Sequence, residues 1–414
     1  MKEEILSSLS NPVQLEKLYR SDKSTFRRAF ATLSPEFKDN ALVNFWNARL
    51  NYTREDFSWS MGPEFVFLAF AALAAGFIAK LPAIFYINDE FFYPRNLGFI
   101  LFPVLSAFFA WKNKLSTGKW AFIAGIIIIG VVFINYLPGA TTSDTVILSC
   151  VHMLVILWSV LGFAFTGDKN NAVENRLAYL KYNGDLVVIT TLIVIGGGIV
   201  SGITVGLFHL IGLDIEQFYF QNVVIFGLPI APILGTYLIQ TNPQLVGKIS
   251  PVIAKIFSPV VLVMLVVYLI AIIWSGKNPY NDREFLLLFN AVLVGVMAII
   301  FFSIAGTSQI SKNTIESWVL LLLSCITIIV NIIAVSAILF RISEWGFTAN
   351  RTTILGGNMI ILVNLLLVTV QLYRVVTKKA ETSAVGNTIA RFLPVYFAWA
   401  VIVSFLFPFI FPAK

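Results

Sequence analysis

The stretch from Ala121 to Tyr136 contains no charged residue, and runs like it limit what this chain can become. A helix crosses roughly 30 Å of hydrocarbon with about 20 predominantly apolar residues, at about 1.5 Å per residue. From Pro63 onward eleven apolar segments can be counted. They lie near 63–86, 97–111, 120–137, 145–166, 186–211, 218–239, 256–274, 285–305, 316–340, 352–373 and 392–411. Strands of a membrane barrel would instead alternate polar and apolar positions over about ten residues. The expected fold is therefore all-α, a polytopic integral membrane protein with eleven or so transmembrane helices over residues 61–414. Composition agrees. Hydrophobic residues make up 58 % and charged residues 12 %, too few charges to cover a soluble globule of this length.

The scarce charges are unevenly placed, with 18 of them in the first 64 positions. Residues 1–60 form a separate polar head, read as short amphipathic helices. Leu15, Leu18 and Tyr19 share one face, Phe26 and Phe30 follow, and Phe45, Trp46 and Leu50 supply a second stripe. Ser34-Pro35-Glu36 has the form of a helix start, an N-cap serine followed by proline at the first helical position. So few apolar anchors make a marginal independent core. The head is expected to dock on the membrane domain's own loops or on a cytoplasmic protein partner.

Lys and Arg counts orient the chain. With the N-terminus inside, the head and the even-numbered connections carry 22 basic residues, and the opposite side carries 6. This places the head in the cytoplasm and the C-terminus outside. The net charge of +7 is spread over loops without a basic tract, so it signals topology and no nucleic-acid partner is expected. The first apolar run begins only at Phe65, so no secretory signal peptide is expected and the internal spans serve insertion. The lipid bilayer is the one partner implied by composition.

No His-Glu-x-x-His, Cys-x-x-Cys, Walker A loop or Gly-x-Ser-x-Gly elbow occurs, so no metal, cofactor or catalytic set is assigned. Cys150 and Cys325 lie in apolar runs and read as small buried hydrophobes. Gly198, Gly202 and Gly206 recur every four residues on one face of the fifth span, a pattern that lets helices approach closely. Asp144, Asp185, Glu284 and Glu316 stand at the beginnings of spans, where carboxylates complement the positive helix end. Pro82, Pro103, Pro229 and Pro232 fall within spans and predict kinks or broken helices; in the sixth, the alternatives are a broken helix with free backbone groups and the commoner simple kink.

An ionisable group inside a span is a candidate functional residue. Lys80, His152 and His209 qualify, with Asn290, Asn331 and Asn364 as neutral companions. Counting spans puts the two histidines and Lys80 in the same, outer half. The outer connections add NPYNDRE (278–284) with Asp282, and RISEWGFTANR (341–351) with Arg341, Glu344, Asn350 and Arg351. Together these residues predict a polar, ligand-binding cavity open to the outer face. The competing reading has Lys80 snorkelling, the histidines cross-linking helices and the loop charges meeting water.

The stretches DTVILSCVHMLVILW (144–158), RLAYLKYNGDLVV (176–188), NPYNDREF (278–285) and RISEWGFTANR (341–351) resemble the bacterial multi-pass proteins of domain-of-unknown-function family 4153. Arg341, Glu344, Gly346, Thr348, Asn350 and Arg351 match the family's R-x-x-E-(aromatic)-G-x-T-x-N-R pattern. The resemblance implies a bacterial inner-membrane location and carries no known activity. Read physically, Gly346 and Thr-Ala-Asn form a tight turn capping the tenth span, with Glu344 available to pair with Arg341 or Arg351. Three functions remain open. One is a transporter or permease for a small-molecule solute, using the outer cavity. Another is a sensor, scaffold or assembly protein acting through the head. The third is an enzyme on lipid-linked substrates with His152, His209, Asp282 or Glu344 as acid or base.

Overall fold

The computed structural model describes residues 2–9, 11–33, 37, 40–51, 62–139, 143–167, 172–210, 213–242, 249–275, 280, 283–305 and 314–412. Every regular element among them is helical. Two compact units are present, Met1–Ser60 and Met61–Lys414. The Ser34-Pro35-Glu36 helix start and Asp282 lie outside the described residues.

The first unit contains α1 (Lys2–Ser7), α2 (Pro12–Ser21), α3 (Lys23–Leu33) and α4 (Ala41–Asn51). Asn11 caps α2 by accepting from the Gln14 N–H, with Pro12 at the first helical position. The apolar faces close on one another around Ile5, Leu15, Phe26, Phe30, Val43 and Trp46. Trp46 is buried among the rings of Tyr19, Phe26 and Phe30. The predicted second stripe is split: Trp46 and Leu50 are buried, but Phe45 is exposed. Phe45 lies one residue before Trp46, about 100° around the helix, so both cannot face one core.

The second unit contains α5 (Pro63–Phe85), α6 (Asp89–Lys112), α7 (Thr117–Tyr136), α8 (Asp144–Thr166), α9 (Ala172–Leu210) and α10 (Glu216–Thr241). It continues with α11 (Ile249–Ser275), α12 (Arg283–Ala305), α13 (Thr314–Trp345), α14 (Ala349–Val376) and α15 (Thr382–Ile410). Among the described residues, nine of these helices are long and apolar enough to cross a membrane, and α11 and α12 contribute the apolar stretches Ile256–Ile270 and Phe289–Ile304. One apolar core is built from α5 to α10, around residues such as Phe108, Leu161 and Tyr182. A second is built from α11 to α15, with Leu180 of α9 joining it.

Three expectations about the spans change. The second span starts at Asp89, not near 97, because Asn88 caps the Glu90 and Phe91 N–H groups and brings the aromatic run into the helix. The fifth begins at Ala172, so its 39 residues cover roughly 58 Å. Asp185 consequently lies buried in mid-helix instead of capping a start. Finally, α10 runs unbroken through Pro229 and Pro232; its irregularity is a π-turn at Phe220–Val224, upstream of both.

Candidate functional site

The membrane domain has two ends. One bears Pro63, Lys112, Thr117 and Thr166; the other bears Phe85, Asp89, Tyr136 and Asp144. At the Pro63 end, Lys112 pairs with Glu64 at 2.8 Å.

Lys80, His152, His209 and the 341–351 turn all belong to the Phe85 end, yet they do not assemble. Among the described residues no hydrogen bond, ion pair or ring contact joins any two of these four features. Lys80 Nζ donates to the Gln221 main-chain oxygen at 2.6 Å and to Asn222 Oδ1 at 3.0 Å. His152 Nδ1 lies 2.8 Å from the Leu148 oxygen of its own helix. His209 is exposed at the end of α9. The turn is built as its sequence suggested. Gly346, at a φ of 74°, follows α13, and Thr348 Oγ1 accepts the Arg351 N–H to cap α14. Glu344, however, takes neither arginine. Arg351 Nη1 donates to the Trp345 and Gly346 oxygens, both at 2.8 Å, and Arg341 stacks over the Trp345 ring. Asn350 is half-buried beside them in the first turn of α14.

The glycine stripe and one cysteine also differ from expectation. A Cβ added at Gly198, Gly202 or Gly206 would meet nothing within 4 Å. No neighbouring described helix uses this face. Cys150 is buried, but Cys325 is exposed.

Among the polar groups that the structure does bring together, several answer a main-chain carbonyl released by an irregularity in a helix. In α10, Ile225 N–H bonds back to the Phe220 oxygen across the π-turn, and such a turn leaves a neighbouring carbonyl over. Gln221 supplies that carbonyl to Lys80. Proline has no N–H, so the carbonyl four residues before it is also unpaired. Pro394 frees the Ala390 oxygen, which accepts from Arg176 Nη1 at 3.1 Å. Pro408 frees the Ser404 oxygen, which accepts from Ser149 Oγ at 3.1 Å, and Ser404 Oγ returns a bond of the same length to the Ser149 oxygen.

Arg95 applies the same chemistry to a helix end. It is 2 % exposed, and α7 stops at Leu137-Pro138-Gly139 beside it. Its Nε donates to the Ile134 oxygen at 3.1 Å, and its Nη2 to the Leu137 and Gly139 oxygens, both at 3.3 Å. A cation suits the negative end of a helix. Next to it, Asn96 and Asn135 exchange two amide bonds of 2.9 Å. Deeper in the second core, Asn358 Nδ2 donates to Asn290 Oδ1 at 2.8 Å, and Asn331 Nδ2 donates to the Asn358 oxygen at 3.1 Å. Asn364 Nδ2 reaches Tyr396 Oη at 2.8 Å. The prolines at 394 and 408 advertise the free carbonyls in the sequence; nothing there says which side chain will answer them.

A cleft of about 330 Å³ opens elsewhere, toward the Pro63 end, between α7, α8, α9 and α15. Phe122, Trp158, Phe163 and Phe397 form apolar walls, while Ser159, Thr166 and Arg176 are its polar members. The walls are held in place. Trp158 Nε1 donates to Asn183 Oδ1 at 2.9 Å, and Tyr179 Oη donates to the Trp158 oxygen at 2.6 Å. Gly162 is what admits the Tyr179 ring, since a Cβ there would approach it to 2.8 Å. None of the predicted cavity residues Lys80, His152, His209, Arg341, Glu344, Asn350 and Arg351 lines this cleft, although Trp158, Arg176 and Tyr179 fall within the stretches 144–158 and 176–188. Apolar residues of α7, α8 and α15 look like ordinary span residues until the helices are packed.

Apolar helices that expose large hydrophobic side chains and bury polar ones define the class of a multi-pass helical membrane protein. Comparison of the chain with protein-family models, curated proteins and solved structures finds no match.

Proposed function

We propose that the membrane domain is a transporter or permease for a small solute, with Lys80 and the α10 π-turn as its working element. The Lys80 contact carries this reading. An ammonium inside a span meets no carboxylate among the described residues and is held by a freed main-chain carbonyl and one amide. π-turns recur at functional sites, and an ionisable side chain inside a span is a candidate functional residue. The other polar groups at the Phe85 end line the exit side of such a path without forming one pocket. In this reading the chain belongs to the family of bacterial inner-membrane proteins that its 341–351 turn resembles. Its N-terminus is cytoplasmic, as the basic-residue bias indicates.

The test is solute flux into vesicles containing the full chain and its Lys80→Met variant. Flux that disappears in the variant, with protein amount unchanged, is the expected result. Flux that is indifferent to the substitution, or absent from the parent protein across a broad solute panel, overturns the reading.

A second reading, a scaffold or sensor acting through the head, is favoured by one observation. The head has an apolar core of its own and still exposes Phe45 and Val13. Deleting residues 1–53 distinguishes the two: a transporter keeps flux, whereas a scaffold loses its cellular role.

A further inference from the structure

From the cleft at the Pro63 end we infer that the protein holds one anionic phospholipid there. Its phosphate lies on Arg176, and one acyl chain lies along the aromatic wall. This goes beyond the transport reading and does not rest on it.

Polarity is graded along the cleft in the way an amphiphile requires. Arg176 lies in the second turn of α9, and Thr166 is the last residue of α8, so the polar end is at headgroup level. Further along, Ile126, Trp158 and Phe397 supply a purely apolar surface. The volume is at the lower limit of ligand pockets, about 300–1,000 Å³. Phe122 on the rim is 54 % exposed, so the cleft opens sideways onto the apolar surface that faces lipid.

Charge selects the headgroup. Among the described residues, no carboxylate lines the cleft. Arg176 donates to the Ala390 carbonyl, which fixes its position, and among the described residues it pairs with no carboxylate. A guanidinium at headgroup depth above an apolar trough favours a phosphate that carries hydrocarbon. A free phosphate would leave the trough unfilled, and a zwitterionic lipid would bring its own cation to Arg176. Guanidinium groups bind phosphate oxygens through charge-assisted hydrogen bonds.

The experiment uses the full-length protein in bilayer discs made from equal parts of phosphatidylglycerol and phosphatidylcholine. Lipids that remain bound after gentle extraction are counted by native mass spectrometry. One retained phosphatidylglycerol is expected on the parent protein. Arg176→Gln should reduce its occupancy about ten-fold, as expected for the loss of a charge-assisted contact. Ser159→Phe fills the cleft while leaving Arg176 and its carbonyl contact in place, and should displace the lipid without help from the first variant. Arg374→Gln, at an exposed cation outside the cleft, should leave retention unchanged. The inference is overturned if the parent retains no lipid or retains phosphatidylcholine equally well. A folded Ser159→Phe variant that keeps its phosphatidylglycerol also overturns it.

Discussion

Arginine is used in opposite ways by the two units of the molecule. In the head, Arg49 meets the Glu16 carboxylate at 3.0 Å and Arg20 meets it at 2.8 Å, on a surface that water reaches. In the membrane domain, Arg95 and Arg176 meet main-chain carbonyls. The reason lies in the solvent. Water supplies partners to whatever the head leaves exposed, so its core can be wholly apolar. Lipid supplies none, so each carbonyl released by a proline, a π-turn or a helix end needs a donor from the protein. The membrane domain therefore inverts the usual arrangement. Phe70, Ile128 and Ile199 are exposed, while Arg95, Ser149, Asn331 and Asn364 are buried.

The sharpest way to break this comparison is in the head. Trp46→Ala removes the largest ring from a core of eight buried residues, at a cost of about 3–5 kcal/mol. The head should unfold, seen as rapid proteolysis of the N-terminal segment, while the membrane domain melts as before. A head that resists protease would show that its stability comes from elsewhere.

Arg95→Ala tests the other side. It strips three carbonyls at the end of α7 of their donor. Charge-assisted bonds are worth about 1.5–3 kcal/mol each, and intramembrane bonds less, so a net loss of about 2–3 kcal/mol is expected. Thermal melting in detergent measures it, with Arg95→Lys recovering part of the loss. An unchanged melting temperature would mean that these carbonyls find water.

Glycine substitutions separate packed from lipid-facing surface within the membrane domain. A Cβ at Gly356 would overlap the Trp399 ring, so Gly356→Ala should cost about 1–3 kcal/mol. At Gly202 the added methyl meets nothing within 4 Å. Gly202→Ala should be neutral or stabilising by up to about 1 kcal/mol. Destabilisation at Gly202 would reveal a helix packed on that face.

The smallest effect concerns pH. Hydrogen bonding to Arg20, and then the charge of Arg49, hold the Glu16 carboxyl below the usual carboxylate range. A lowered carboxyl contributes stability above its ordinary range and loses it as pH falls through the lowered value. The head should therefore soften slightly on acidification below about pH 4, and Glu16→Gln should remove that dependence. Because the pair is exposed, the change is a small shift in protease susceptibility.

Much of the fold was legible because lipid imposes a length and a polarity on each span separately. The apolar segments, the capped turn at Gly346 and Thr348, and the polar head could all be read locally. The candidate site was not. Lys80 stood out as a charge in a span, but its partner, the Gln221 carbonyl, lies 141 positions away. Arg95 falls between the apolar segments 63–86 and 97–111, and only the Asn88 cap, which starts the helix before it, brings it into a span. Arg176 looked like one more cytoplasmic charge, although it answers a carbonyl freed by Pro394. Sequence could show that such carbonyls exist, since proline removes a donor wherever it stands.

Sequence by itself determined that this chain is a bundle of apolar helices with a charged N-terminal segment, because hydrophobicity and periodicity are properties of each stretch alone. Tertiary structure decided which buried donors meet which freed carbonyls. It also decided that the described cleft opens between α7, α8, α9 and α15, instead of among the polar residues of the opposite end. The physical reason is that one apolar helix face resembles another until packed. Only the choice of neighbours turns Trp158, Tyr179 and Arg176 into the walls of a single site.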